Sequence, residues 1–181
     1  PFVGRPETDQ QIRVWVDKAY YDNSEEMQQI CVTDKEGADR YRPYTYNVDY
    51  ELESTPGTIS VLFKSYAFTG GAHGIDGLQS LNMSLRTGQE LRYKDIFADT
   101  EGLFTFLSDF VYQSLYPKLG DIWMGSPLFT EGLEPVEASF KPFMITKKGL
   151  TIPFPTYHIA PHSQGAPVCE VPLEQLHTGS Y

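Results

Sequence analysis

The sequence predicts an α+β domain: an antiparallel β-sheet of meanders and hairpins with two main helices packed on one face. Two separated segments place apolar residues at the 3.6-residue spacing of a helix, and several others alternate with period two. Short turns rich in glycine and proline join the alternating runs, as antiparallel neighbours require. No repeat, linker or low-complexity tract interrupts the 181 residues. A single domain over 1–181 is therefore expected, with the N-terminal helix and first strands over about 1–64 and the remainder over about 65–181.

The first helix is marked by Thr8-Asp9-Gln10-Gln11, which has the form of a capping box. Ile12, Trp15, Val16, Ala19 and Tyr20 follow as one apolar stripe, with Trp15 a core residue on it. From Tyr44 the period becomes two. Tyr44, Tyr46, Val48, Tyr50 and Leu52 alternate with Thr45, Asn47, Asp49, Glu51 and Glu53, a half-buried strand with one solvated face. Thr55-Pro56-Gly57 turns the chain, and Ile59, Val61 and Phe63 resume the alternation. Leu81, Met83 and Leu85 alternate with Ser80, Asn82 and Ser84, and Arg86-Thr87-Gly88-Gln89 is the next turn.

Leu103, Phe106, Leu107, Phe110 and Val111 form the stripe of a second helix, capped by Asp99 or Thr100 and ended by Pro117. The segment from Asp121 to Pro135 has no period, yet it carries Trp123, Met124, Leu128 and Phe129. Those side chains either fold back as a lid over the sheet or form an exposed apolar contact surface. Phe143 and Ile145 open a hairpin turning at Lys147-Lys148-Gly149. Val168 and Val171 lie on the last strand, and residues 173–176 make a short helical turn.

Composition narrows the function. A net charge of −10 and a pI near 4.8 repel phosphate backbones, which excludes nucleic acid and suits a basic protein or cationic surface as partner. No apolar run reaches the ~20 residues of a spanning helix. The chain begins at Pro1, so an upstream targeting segment or anchor is expected to have been trimmed, and a membrane is met only through it. Cys31 and Cys169 are either one disulfide, worth ~5 kcal/mol in the chain-entropy picture, or two buried thiols.

Catalytic signatures are thin. His158 and His162 stand four apart, but Pro155 and Pro161 break the helix that would aim both at one metal. There is no GxSxG elbow and no phosphate loop. The stretch "SYAFTGGAHGIDG" ends a strand in Gly70 and Gly71, with His73 two positions on. Two glycines can turn their N–H groups to one side as an anion nest, or simply supply φ > 0 for a hairpin that the histidine locks by a local bond.

Three segments, "YAFTGGAHG", "LNMSLRTGQELRYKDIF" and "LTIPFPTYHIAPHSQGAPVCEVPLEQL", together with the opening "PFVGRPETDQQI", resemble the RsiV-like extracytoplasmic domain. That unit forms the C-terminal part of the anti-sigma factor RsiV, where it binds lysozyme. It also occurs in uncharacterised bacterial lipoproteins, and a related region precedes the catalytic domain of the peptidoglycan deacetylase PdaC. The chain departs from the pattern at His162, where an aromatic such as tyrosine is usual.

The resemblance implies an exported or lipid-anchored, non-enzymatic binding domain that contacts an envelope protein, such as basic lysozyme, or a cell-wall fragment. A glycan-directed envelope hydrolase with a spatially assembled active site is the alternative. Expected contact residues are Tyr66, Gly70, Gly71, His73, Trp123 and Phe129, with no catalytic residue, metal or cofactor. An exported setting also favours the Cys31–Cys169 disulfide over free thiols.

Overall fold

The computed structural model describes residues 4, 6–14, 16–18, 21, 45–68, 72–119 and 127–178. Its strands form two three-stranded antiparallel sheets. The first comprises β1 (Thr45–Ser54), β2 (Thr58–Phe68) and β3 (Ile75–Ser84), in that order. Thr55 closes the β1–β2 hairpin, its Oγ1 accepting the N–H groups of Gly57 at 3.2 Å and Thr58 at 3.0 Å. The second comprises β4 (Met144–Thr146), β5 (Gly149–Pro153) and β6 (Val168–Pro172). Gly149 has φ +139°, and a Cβ there would lie 2.1 Å from the Val171 carbonyl oxygen, so only glycine lets β5 start this close to β6.

Helix α1 spans residues 6–14, with 16–18 and 21 also helical. Pro6 and Glu7 are already helical, so Thr8 is a buried residue within the helix and not the cap expected of it. Short α2 (Tyr93–Ile96) precedes α3 (Thr100–Leu119), which Asp99 caps by accepting the Gly102 N–H at 3.0 Å. Pro117 does not end α3, because in the last turn its missing N–H costs a single ladder bond. Two helical turns follow, α4 (Pro127–Glu131) and α5 (Leu173–Thr178).

Each long helix covers its own sheet. Ile12 of α1 packs with Ile59, Val61, Phe63, Leu81 and Met83 of the first sheet. Leu103, Leu107, Val111 and Leu115 of α3 pack with Leu150, Ile152 and Val171 of the second. The expected single sheet with both helices on one face is thus two sheets. Polar side chains join them. Ser60 Oγ accepts the Ile145 N–H at 2.9 Å and lies 3.1 Å from the Ile145 carbonyl oxygen. Asn82 Nδ2 donates to the Phe143 carbonyl at 2.9 Å, and Ser80 Oγ accepts the Phe143 N–H at 3.1 Å.

Three further expectations need correction. Val48, Tyr50 and Leu52 of β1 are exposed, not half-buried: the described part of α1 covers β2 and β3, and β1 lies at the sheet's edge beyond it. Phe129 is 2% exposed, its ring 5.5 Å from Tyr112 and 6.5 Å from Tyr116 of α3. It is a lid residue and offers nothing to a partner. Cys169 is a buried free thiol beneath α3 and not half of a disulfide; Cys31 lies outside the described residues. Among the described residues no helix is long and apolar enough to cross a membrane.

Truncating Phe129 to alanine should cost ~3–5 kcal/mol in denaturant unfolding, the range for a buried aromatic. Burial also pushes the Cys169 thiol up to about 11 and holds the Tyr93 phenol well above its ordinary value, with the Glu137 charge adding to the latter. Both groups are neutral in the folded chain at pH values where the unfolded chain has begun to lose their protons. Stability is therefore fully present below the unfolded thiol value and falls as pH rises towards about 11. Replacing Cys169 by alanine should flatten the first part of that fall, measured by denaturant midpoints across alkaline pH.

Candidate functional site

Beyond the junction at Ser60 and Asn82, the same face of the first sheet lines a cavity of about 390 Å³ shared with the second. Alternation along β2 and β3 turns Leu62, Lys64, Asp76 and Leu78 to this side. Thr151 and Pro153 of β5 stand opposite, and the β5–β6 connection contributes Thr156 and His162. The floor is apolar and the walls are charged. Lys64 is bonded to Glu51 across β1 and β2, and His162 Nε2 lies 3.6 Å from Asp76 Oδ2, an ion pair whenever the imidazole is protonated.

The rim is a cluster of rings. His73, from the β2–β3 hairpin, stacks on His162 with centroids 4.6 Å apart and planes inclined by 26°. Tyr157 lies 5.9 Å from His162 and holds φ +66°, left-handed backbone that few non-glycine residues adopt. Its N–H donates to the Ala160 carbonyl at 2.8 Å, which fixes the turn. Such a conformation persists only where surroundings over-determine it, and it often marks a functional site.

His158 anchors this connection from behind. Its Nε2 stands 3.1 Å from both the Gly132 and the Ser139 carbonyl oxygens, so that nitrogen carries the proton and the ring is committed to structure. His158 and His162, four apart in sequence, therefore serve different neighbours. No group of three or more metal-ligating side chains occurs among the described residues.

The hairpin supporting His73 explains part of its glycine content. Tyr66 lies across Gly74, whose N–H donates to its hydroxyl at 3.2 Å, and a Cβ on Gly74 would fall 2.3 Å from the ring. His73 Nδ1 is 2.9 Å from the Gly74 carbonyl oxygen, the local bond expected for a turn-locking histidine. Tyr66 and His73 are thus brought together beside the cavity, whereas Gly70, Gly71 and Trp123 lie outside the described residues. Phe129 is in the core of the second sheet. Sequence reading missed Glu51, Lys64, Asp76 and Tyr157. Their one signal is strand alternation, which places Lys64 and Asp76 on the face that also carries Leu62 and Leu78.

Residues 5–76 match the family model described as Deacetylase PdaC, and residues 94–174 match Protein of unknown function (DUF3298). Each segment is similar to its own family, and neither match spans half of the chain. Over 115 residues it is 30% identical to the peptidoglycan-N-acetylmuramic acid deacetylase PdaC of Bacillus subtilis, covering 63% of this chain and 24% of that protein's length. A crystal structure of a DUF3298 family member from Bacteroides fragilis shares the fold, with a TM-score of 0.62 and 19% identity over 98% of this chain and 70% of that one. Another from Pseudomonas aeruginosa gives 0.58 and 22% identity over 74% and 61%. These likenesses establish the α+β architecture of antiparallel sheets and a few helices.

The contact between Tyr66 and Gly74 is open to a double-mutant cycle. Gly74→Ala should destabilise the wild-type chain by ~1 kcal/mol or more, by forcing the ring off the hairpin. In a Tyr66→Ala background the same change should be close to neutral, a coupling measurable by thermal unfolding.

Proposed function

We propose that this chain is a non-enzymatic, extracytoplasmic binding domain and that the groove between its sheets holds a cell-wall glycan fragment. The observation that carries this reading is the chemistry of the groove. Stacked rings at the rim stand beside carboxylates and an ammonium, over an apolar floor. Sugar rings have the matching character: apolar C–H faces lie against aromatic rings, while hydroxyls bond to Asp76 or Lys64. Kinship with a peptidoglycan-directed deacetylase supports an envelope setting, where such glycans are met. The finer kinship with the lysozyme-binding RsiV domain belongs to the same proposal, and a net charge of −10 suits a basic protein of that kind.

One observation favours a second reading. Glu51 and Asp76 line the same cavity, and two carboxylates facing one groove are the usual equipment of glycan hydrolysis. Against it, Glu51 is already engaged by the Lys64 ammonium.

Calorimetric titration with N-acetylglucosamine oligomers and muropeptides tests both. Binding is expected, with Asp76→Asn and His162→Ala each weakening it roughly tenfold. No binding to any of these glycans would remove the first reading. Shortened oligosaccharides in the mass spectrum, lost with Glu51→Gln, would replace it by the hydrolase.

A further inference from the structure

Strand β1 carries opposite chemistry on its two faces and lies at the edge of its sheet among the described strands. It pairs with β2 alone among the described strands, so its outer side is unpaired there. Val48, Tyr50 and Leu52 on one face are 54%, 51% and 40% exposed. Asp49, Glu51 and Glu53 on the other face are exposed as well, and Lys64 neutralises only Glu51.

Hydrogen bonding fixes which backbone groups point outward. The Thr55 N–H donates to the Thr58 carbonyl at 2.9 Å, so the pairs bonded to β2 step back from it by two, through Glu53, Glu51 and Asp49. The N–H and C=O groups of Val48, Tyr50 and Leu52 therefore face away from the sheet. In agreement, the Tyr50 N–H is taken up by the Asp49 carboxylate at 2.8 Å. A neighbour's side chain is blunting an open edge, a common protection against unwanted pairing.

We propose that the outer edge of β1, over Val48–Leu52, receives an extended, basic, amphipathic segment of another protein as an added strand. The incoming backbone bonds the outward groups of Val48, Tyr50 and Leu52, and its alternate apolar side chains lie on theirs. Its intervening Lys or Arg side chains meet Asp49 and Glu53. Displaced from the Tyr50 N–H, the Asp49 carboxylate is released to a cation at the moment the edge is filled. Charge decides the occupant. A second copy of this chain would set its own Asp and Glu row beside this one, and like charges on neighbouring strands repel. A basic strand is instead drawn in by the net charge of −10. This site stands on the outer edge of β1, and its contacts use none of the groove residues, Glu51 included.

The test uses a capped synthetic peptide of alternating lysine and valine, titrated calorimetrically into the whole chain with no glycan present. Binding is expected to weaken as salt rises and to fall roughly tenfold or more for a glutamate–valine peptide. A similar loss is expected when the peptide's sheet-facing amides are N-methylated, because strand addition depends on them. Tyr50→Lys and Glu53→Lys should each weaken the peptide to a similar degree, with Glu53→Lys, a surface change, keeping its melting temperature. The proposal is overturned if the lysine–valine peptide does not bind, if the N-methylated form binds equally well, or if Glu53→Lys leaves binding unchanged. Because the assay contains no glycan, an empty groove leaves its outcome untouched.

Discussion

The backbone of β4 is satisfied by side chains of a different sheet, and the arrangement of the whole molecule depends on that bond pattern. A three-residue edge strand facing an apolar surface would bury unpaired N–H and C=O groups, each costing a few kcal/mol. Ser60, Asn82 and Ser80 remove that cost by presenting hydroxyls and a carboxamide to the Phe143 and Ile145 backbone. Ser60 and Asn82 are themselves buried, so the exchange works in both directions: neither partner could be buried without the other.

That junction divides the interior. On one side Ile12 and the apolar residues of β2 and β3 form a small core; on the other α3, β5 and β6 form a larger one with a string of aromatic contacts. Tyr93 belongs to the larger core yet sits close to the junction. Its ring stacks on Phe143 at 4.0 Å and its hydroxyl donates to the Phe140 carbonyl at 2.8 Å. The segment leading into β4 is therefore held from the helical side by Tyr93 and from the sheet side by Asn82 and Ser80.

The groove lies on the same face of the first sheet, beside the junction. Leu62 and Leu78 floor it as Ser60 and Asn82 hold the junction, on alternating positions of the same strands. The rim needs two chain segments far apart in sequence, the hairpin bearing His73 and the connection bearing Tyr157 and His162. His158, bonded to the carbonyls of Gly132 and Ser139, ties that second segment to the core of the larger sheet. His162, four residues on, lies over Asp76.

Sequence alone determined the elements whose cause is local. Period-two alternation located β1, β2 and β3, the stripe on α3 located its buried face, Asp99 located its cap, and Lys147-Lys148-Gly149 located the β4–β5 turn. It also located the local bond of His73 in the β2–β3 hairpin. Tertiary structure decided what depends on partners distant along the chain. Apolar alternation in β1 gave no sign that Val48, Tyr50 and Leu52 would be exposed, beyond the described part of α1. Phe129 could be lid or contact surface until its place against Tyr112 and Tyr116 was fixed. Ser60 and Asn82 read as the solvated positions of ordinary strands, and only the approach of β4 made them the buried link between two sheets. A polar side chain has the same period whether water or another backbone satisfies it, so the pattern could not say which.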